Sequence, residues 1–172
     1  MSPASRGFPP IATRDARVLV LGSLPGQMSL AHQQYYAQPQ NAFWRIMGAL
    51  VGAGPDLPYA ERGDMLRRRG IALWDVCKAA IRPGSLDSAI DLASVVPNDF
   101  TTFFLEHPGL RCVITNGGTA TRLYTRLVLP TLMEPHRALP LRPLPSTSPA
   151  HAAMRFEQKL ERWSEILAIL DA

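Results

Sequence analysis

Apolar residues gather along the chain into four short runs, VLVLG (18–22), GIALWDV (70–76), RCVIT (111–115) and RALPLRPLP (137–145). The first is closed by glycine and the others repeat its type, so each predicts a strand. Between these runs the apolar positions change to helical spacing. Phe43, Trp44, Met47, Leu50 and Val51 share one helix face, and an apolar run from Phe100 to Leu105 is stopped by Pro108–Gly109. A further helix is predicted over Leu123 to Leu132. A last one, Met154 to Leu170, sets Phe156, Leu160, Trp163, Leu167 and Leu170 on one side and Arg155, Lys159 and Arg162 elsewhere. Strands alternating with helices predict an α/β three-layer sandwich, a mainly parallel central sheet of about four strands flanked by helices on both faces.

Composition adds limits to this frame. A chain of 172 residues is most simply one domain, long enough to bury a core without staples. With 47% hydrophobic and 19% charged residues it reads as a globular protein, and no run approaches the length of a membrane span. The N-terminal stretch MSPASRGFPPIATRDAR lacks the apolar core of a signal peptide. Residues 1–16 are therefore expected to form a disordered or extended arm before a single domain, 17–172, in a cytoplasmic protein. Cys77 and Cys112 lie in apolar runs, where unpaired buried thiols are expected, and two cysteines alone cannot ligate a structural zinc or an iron–sulfur cluster. The net charge of +4 suits a polyanionic partner.

In a parallel sheet, chemistry collects beyond the carboxyl ends of the strands. The residues there are GSLPGQMS (22–29), Asp75, Asn116–Gly117–Gly118 and PSTSPAH (145–151). The first loop lacks the Lys-Ser/Thr ending of a triphosphate-binding loop and is too short for a dinucleotide fingerprint. In the last, Ser148 can cap the final helix with Pro149 at its first position, while Ser146, Thr147 and free backbone N–H groups can meet an anion. A further stretch, YYAQPQNAFWRIM (35–47), places two tyrosines and a proline turn before an apolar helix. Tyr36 can be core or a platform for a flat ligand; Asn41 can cap the helix or hold a reactant.

Taken together and in this order, GSLPG, QQYYAQPQNAFW, GIALWDV, ITNGG and PSTSPAH resemble the uracil-DNA glycosylase superfamily, most closely its hypoxanthine-DNA (deoxyinosine) glycosylase branch. Other branches carry a catalytic Asn or Asp in the first loop; here the corresponding slot is Leu24 and the loop has no carboxylate. The resemblance implies catalysis from Asn41, in the Pro-x-Asn-x-Phe-Trp motif, with Asn116 as a second functional amide. It also implies that Tyr36 stacks on a base extruded from DNA, that Asp75 reads the base, and that Gly22 and Ser23 lie beside it. Ser146, Thr147, Ser148 and, where it does not simply face solvent, His151 are expected along DNA phosphates. The expected protein is a monomeric, monofunctional glycosylase of base excision repair. It would act on double- or single-stranded DNA containing a deaminated base, without cofactor or metal. A uracil-specific glycosylase and a catalytically silent DNA-binding relative are the alternatives. His32, His107 and the run Arg67–Arg68–Arg69 are read as surface or structural.

Overall fold

A computed structural model describes residues 3–172. In chain order its elements are β1 (Ser5–Arg6), β2 (Val18–Gly22), α1 (Gln27–His32), α2 (Phe43–Val51), α3 (Tyr59–Arg68), β3 (Ile71–Asp75), β4 (Cys77–Ala80) and β5 (Val96–Pro97). They continue with α4 (Phe100–Glu106), β6 (Cys112–Asn116), α5 (Gly118–Leu123), β7 (Leu141–Leu144), α6 (Phe156–Trp163) and α7 (Glu165–Leu170). The central sheet has four parallel strands in the order β3-β2-β6-β7, and helices cover both faces, as the alternation of strands and helices predicts. Strands β2, β3 and β6 are buried at every position, which is why they read as continuous apolar runs rather than alternating ones. Their side chains divide the core in two. Val18 and Val20 join Phe43, Trp44, Met47 and Trp163 on one face; Leu19 and Leu21 join Trp74, Phe100, Phe104 and Tyr124 on the other.

Register aligns the functional ends of the strands. Gly22 pairs with Asp75 across β2 and β3, and Leu21 pairs with Thr115 across β2 and β6, so Gly22, Asp75 and Asn116 end side by side. The run 137–145 yields a strand only over Leu141–Leu144, because His136–Ala138 forms a tight helical turn; Pro143, lacking an N–H, is tolerated at this sheet edge.

Three expectations need correction. A second, antiparallel sheet, β1-β4-β5, was not foreseen; its strands are too short to carry a periodic signal. It ties down the expected arm, whose described residues are extended and packed: Gly7 N–H donates to the Lys78 carbonyl at 3.0 Å and Ile11 bridges to Leu73. Residues 1–2 lie outside the described residues. The helix expected over 123–132 begins earlier, at Gly118, and widens into a π-turn over Tyr124–Val128 before a short 3-10 turn. The last helix starts at Phe156 and breaks at Ser164, whose hydroxyl donates back to the Glu161 carbonyl and competes with the helix ladder. Among the described residues no helix is long and apolar enough to cross a membrane.

Candidate active site

A cavity of about 460 Å³ opens beyond the carboxyl ends of the parallel strands. Gly22, Ser23, Tyr36, Asn41, Asp75 and Asn116 line it, and so do Ser146, Thr147, Ser148 and His151. Every residue expected in the site from the sequence is therefore brought to one place, but they are held there in different ways.

Tyr36 has a left-handed backbone, φ +53°, which a bulky residue adopts only when its surroundings impose it. The surroundings are specific. Tyr59 Oη accepts the Tyr35 N–H at 3.0 Å, Trp44 Nε1 donates to the Tyr35 carbonyl at 2.8 Å, and Ser29 Oγ accepts the Ala37 N–H at 3.1 Å. One face of the Tyr36 ring stacks on Phe43, centroids 4.3 Å apart and 25° from parallel. Its hydroxyl accepts from Asn116 Nδ2 at 3.1 Å, and burial, with Asp75 nearby, keeps the phenol protonated far above its ordinary range. Tyr35, by contrast, is core: it is 3% exposed and its hydroxyl donates to the Pro9 carbonyl.

Asn116 is held from three sides. Besides Tyr36, its Nδ2 donates to Thr147 Oγ1 at 2.9 Å, and its Oδ1 accepts the Thr147 N–H at 2.9 Å. Both amide hydrogens are thus used inside the protein. Thr147 is a buried brace: its carbonyl also accepts the Ala42 N–H at 2.9 Å, joining the last loop to the start of α2. Ser146 and Ser148 accept backbone N–H groups two residues on, from Ser148 and Ala150, which leaves each hydroxyl hydrogen free to donate. Ser148 does not cap the final helix; Arg155 occupies that position, and the Gln158 side chain accepts its N–H. Lys159, buried to 5% exposure and overlooked in the sequence, donates to the Ser148 carbonyl at 3.2 Å. Gly117, at φ +96°, is required where a Cβ would meet the Ser146 Cβ at 2.9 Å. His151 is half-buried beside this loop.

Asn41 sits just outside the start of α2 and lines the cavity. The helix begins at Phe43 and its cap position is Ala42, so Asn41 lies one residue before the cap, yet its Oδ1 accepts the Phe43 N–H at 3.0 Å. Because that partner is a donor, the amide orientation is set: Oδ1 faces the helix, and the NH₂ group is left for the cavity that Asn41 lines.

The floor is acidic. Asp75 is 4% exposed and its Oδ2 has no hydrogen-bond partner. Burial first, then the Asp87 charge, against a smaller opposing effect of Arg82, pushes its carboxyl up to about 7. Gly22 has to be glycine here, since a Cβ would stand 2.4 Å from Asp75 Oδ1 and 2.8 Å from the Tyr36 hydroxyl. The Ser23 hydroxyl, expected beside the base, donates to Asp87 Oδ1 at 2.6 Å. Asp87 and the buried Arg82 were missed. They lie in IRPGSLDS (81–88), a stretch of turn residues with no periodicity, whose only cue is a pair of opposite charges beside a turn. Among the described residues no three His, Cys, Asp or Glu side chains gather to hold a metal ion.

The arrangement offers a flat aromatic wall, an unpartnered carboxylate oxygen on the floor, an oriented amide at the mouth and a rim of hydroxyl donors. A flat polar ring can stack and be read there. The family model of the uracil DNA glycosylase superfamily matches residues 9–169, and the chain belongs to this superfamily. It is 39% identical over 113 residues to a hypoxanthine DNA glycosylase of Methanosarcina barkeri (strain Fusaro / DSM 804), covering 65% of this chain and 70% of the relative. It is 40% identical over 116 residues to a protein of the same description from Methanosarcina acetivorans, covering 67% and 72%. The solution NMR structure of a candidate uracil DNA glycosylase from Methanosarcina acetivorans superposes with a TM-score of 0.80 at 33% identity, covering 99% of this chain and all of that one.

Proposed function

We propose that the chain is a DNA glycosylase that hydrolyses the N-glycosidic bond of deaminated bases, hypoxanthine first among them, in base excision repair. The two curated relatives are named for that base. The observation in the site that carries the choice is Asp75, a buried carboxylate that lines the cavity with Tyr36 and whose Oδ2 has no hydrogen-bond partner. Hypoxanthine presents a ring N1–H donor beside an O6 acceptor, and Asp75 accepts the former in its ionised form, which prevails above about pH 7. Adenine, with an acceptor at that ring position, leaves the carboxylate unsatisfied, which is costly in a buried site.

In this reading the base leaves the duplex, at a cost of a few kcal/mol, and Tyr36 recovers part of it by stacking. Asn41 uses its free amide to place the attacking water. Asn116 acts as a positioning residue, holding the Tyr36 hydroxyl and the Thr147 loop together. Ser146, Ser148 and His151 meet phosphates of double- or single-stranded DNA, and the chain works as a cytoplasmic monomer. The test is a panel of duplexes, each with one hypoxanthine, uracil or xanthine, followed by alkaline cleavage at the abasic site. Fastest strand cleavage at hypoxanthine is expected; preferential release of uracil, or binding without cleavage, refutes the reading.

A further inference from the structure

The cavity holds a second carboxylate whose setting is unlike that of Asp75. Asp87 comes from the irregular segment between β4 and β5, lines the cavity and keeps its side chain 42% exposed. It is anchored on one oxygen only. Oδ1 takes the Ser23 hydroxyl at 2.6 Å and faces Arg82 Nη1 at 3.8 Å, leaving Oδ2 free of protein donors among the described residues. Arg82 is itself rigidly placed. Its side chain is 1% exposed, and its remaining donors go to the carbonyls of Gly84 at 3.1 Å, Leu24 at 3.3 Å and Pro25. Gln27 adds a clamp, its N–H donating to Ser85 Oγ at 2.9 Å. Asp87 is thereby docked onto the first loop, the loop that has no acid of its own.

We infer that Asp87 is a catalytic carboxylate: its Oδ2 accepts the proton of the attacking water, and its charge stabilises the cationic sugar. The inference rests on the glycosylase reading above. Cleavage passes through an oxocarbenium-like sugar, which fixed negative charge stabilises, and an amide alone cannot take a proton from water. In the step, the water oxygen bonds to the anomeric carbon while the bond to the base breaks. The electron pair of that bond leaves on the ring nitrogen of the base, and the proton shed by water passes to Asp87. Asn41 orients the water. Asp75 does not compete for this task, because it lies buried at the floor, where it meets the base. A carboxylate present only to neutralise Arg82 would have no need to face the cavity.

The deciding variant is Asp87→Asn, which keeps the shape and an acceptor for Ser23. Single-turnover hypoxanthine release at saturating enzyme should fall about a hundredfold or more, the scale of losing a proton acceptor, while inosine-duplex affinity is kept or improved. Turnover within about threefold of wild type in folded Asp87→Asn overturns the role. If that variant does not fold, Asp87→Ala in formate decides: saturable recovery of turnover supports a lost carboxylate, which a structural defect would not show, and no recovery overturns it. A wild-type chain that releases no hypoxanthine overturns the glycosylase reading and this inference together. An active wild type beside an equally active Asp87→Asn overturns the inference alone.

Discussion

Replacing Asp75 by asparagine should make the protein more stable, and more so as pH rises. In the folded chain the Asp75 carboxyl titrates near 7 against an ordinary value of 3.8, chiefly because burial disfavours the ion. The sign follows from linkage: a carboxyl raised on folding penalises the folded state wherever the unfolded chain is ionised. That penalty is absent below the unfolded value, grows from about pH 4 to 7, and is complete above. A shift of roughly three pKa units, at about 1.4 kcal/mol each, makes it about 4 kcal/mol in full. Asparagine cannot ionise, so the stability difference between Asp75→Asn and wild type should widen by about 3 kcal/mol between about pH 4.5 and pH 8. A buried amide with an unmet hydrogen bond carries its own cost, but that cost does not vary with pH. Urea unfolding of both proteins across this range measures the widening directly. A difference that is flat with pH refutes the picture of a strained, buried carboxylate. The same variant should lose preference for hypoxanthine over adenine, as expected where a destabilising charge is kept for recognition.

Three other outcomes are expected. Asn41→Ala removes the cap-like bond to the Phe43 N–H, worth roughly 0.5–2 kcal/mol, and the proposed water-holding amide together. Melting should drop modestly while single-turnover cleavage falls by orders of magnitude with DNA binding kept; lowered melting with near-normal cleavage would reduce Asn41 to a cap. Gly22→Ala forces a methyl against Asp75 Oδ1 and the Tyr36 hydroxyl, so it should destabilise by about 1–3 kcal/mol and block the base slot. Unchanged urea midpoints and unchanged affinity for inosine duplex would contradict that geometry. Inosine-duplex affinity should fall linearly on a log–log plot against salt, with a slope of about −0.9 per phosphate contacted, and Ser146→Ala should weaken binding regardless of flanking sequence. Salt-insensitive binding would count against a phosphate-gripping rim.

How far the sequence alone could be read follows from the range of the interactions involved. Strands β2, β3 and β6 were legible because a strand buried on both faces must be apolar throughout, a purely local demand. The grouping of candidate site residues was legible because a parallel sheet turns strand ends into one edge, so Gly22, Asp75 and Asn116 needed only their positions to be brought together. What those residues do with their hydrogen bonds was not legible. Ser23 looked available for a ligand until Asp87, 64 positions away, took its hydroxyl. Thr147 is bound to Asn116, 31 positions away, through its hydroxyl oxygen and its N–H alike. The left-handed turn at Tyr36 likewise depends on Tyr59, Trp44 and Ser29 rather than on its own preference. Hydrophobic pattern is a one-body property that each residue carries with it; a satisfied donor or a shifted carboxyl is a property of pairs. Only folding brings such pairs together, and burial then makes each unmet partner costly enough to decide which contacts form.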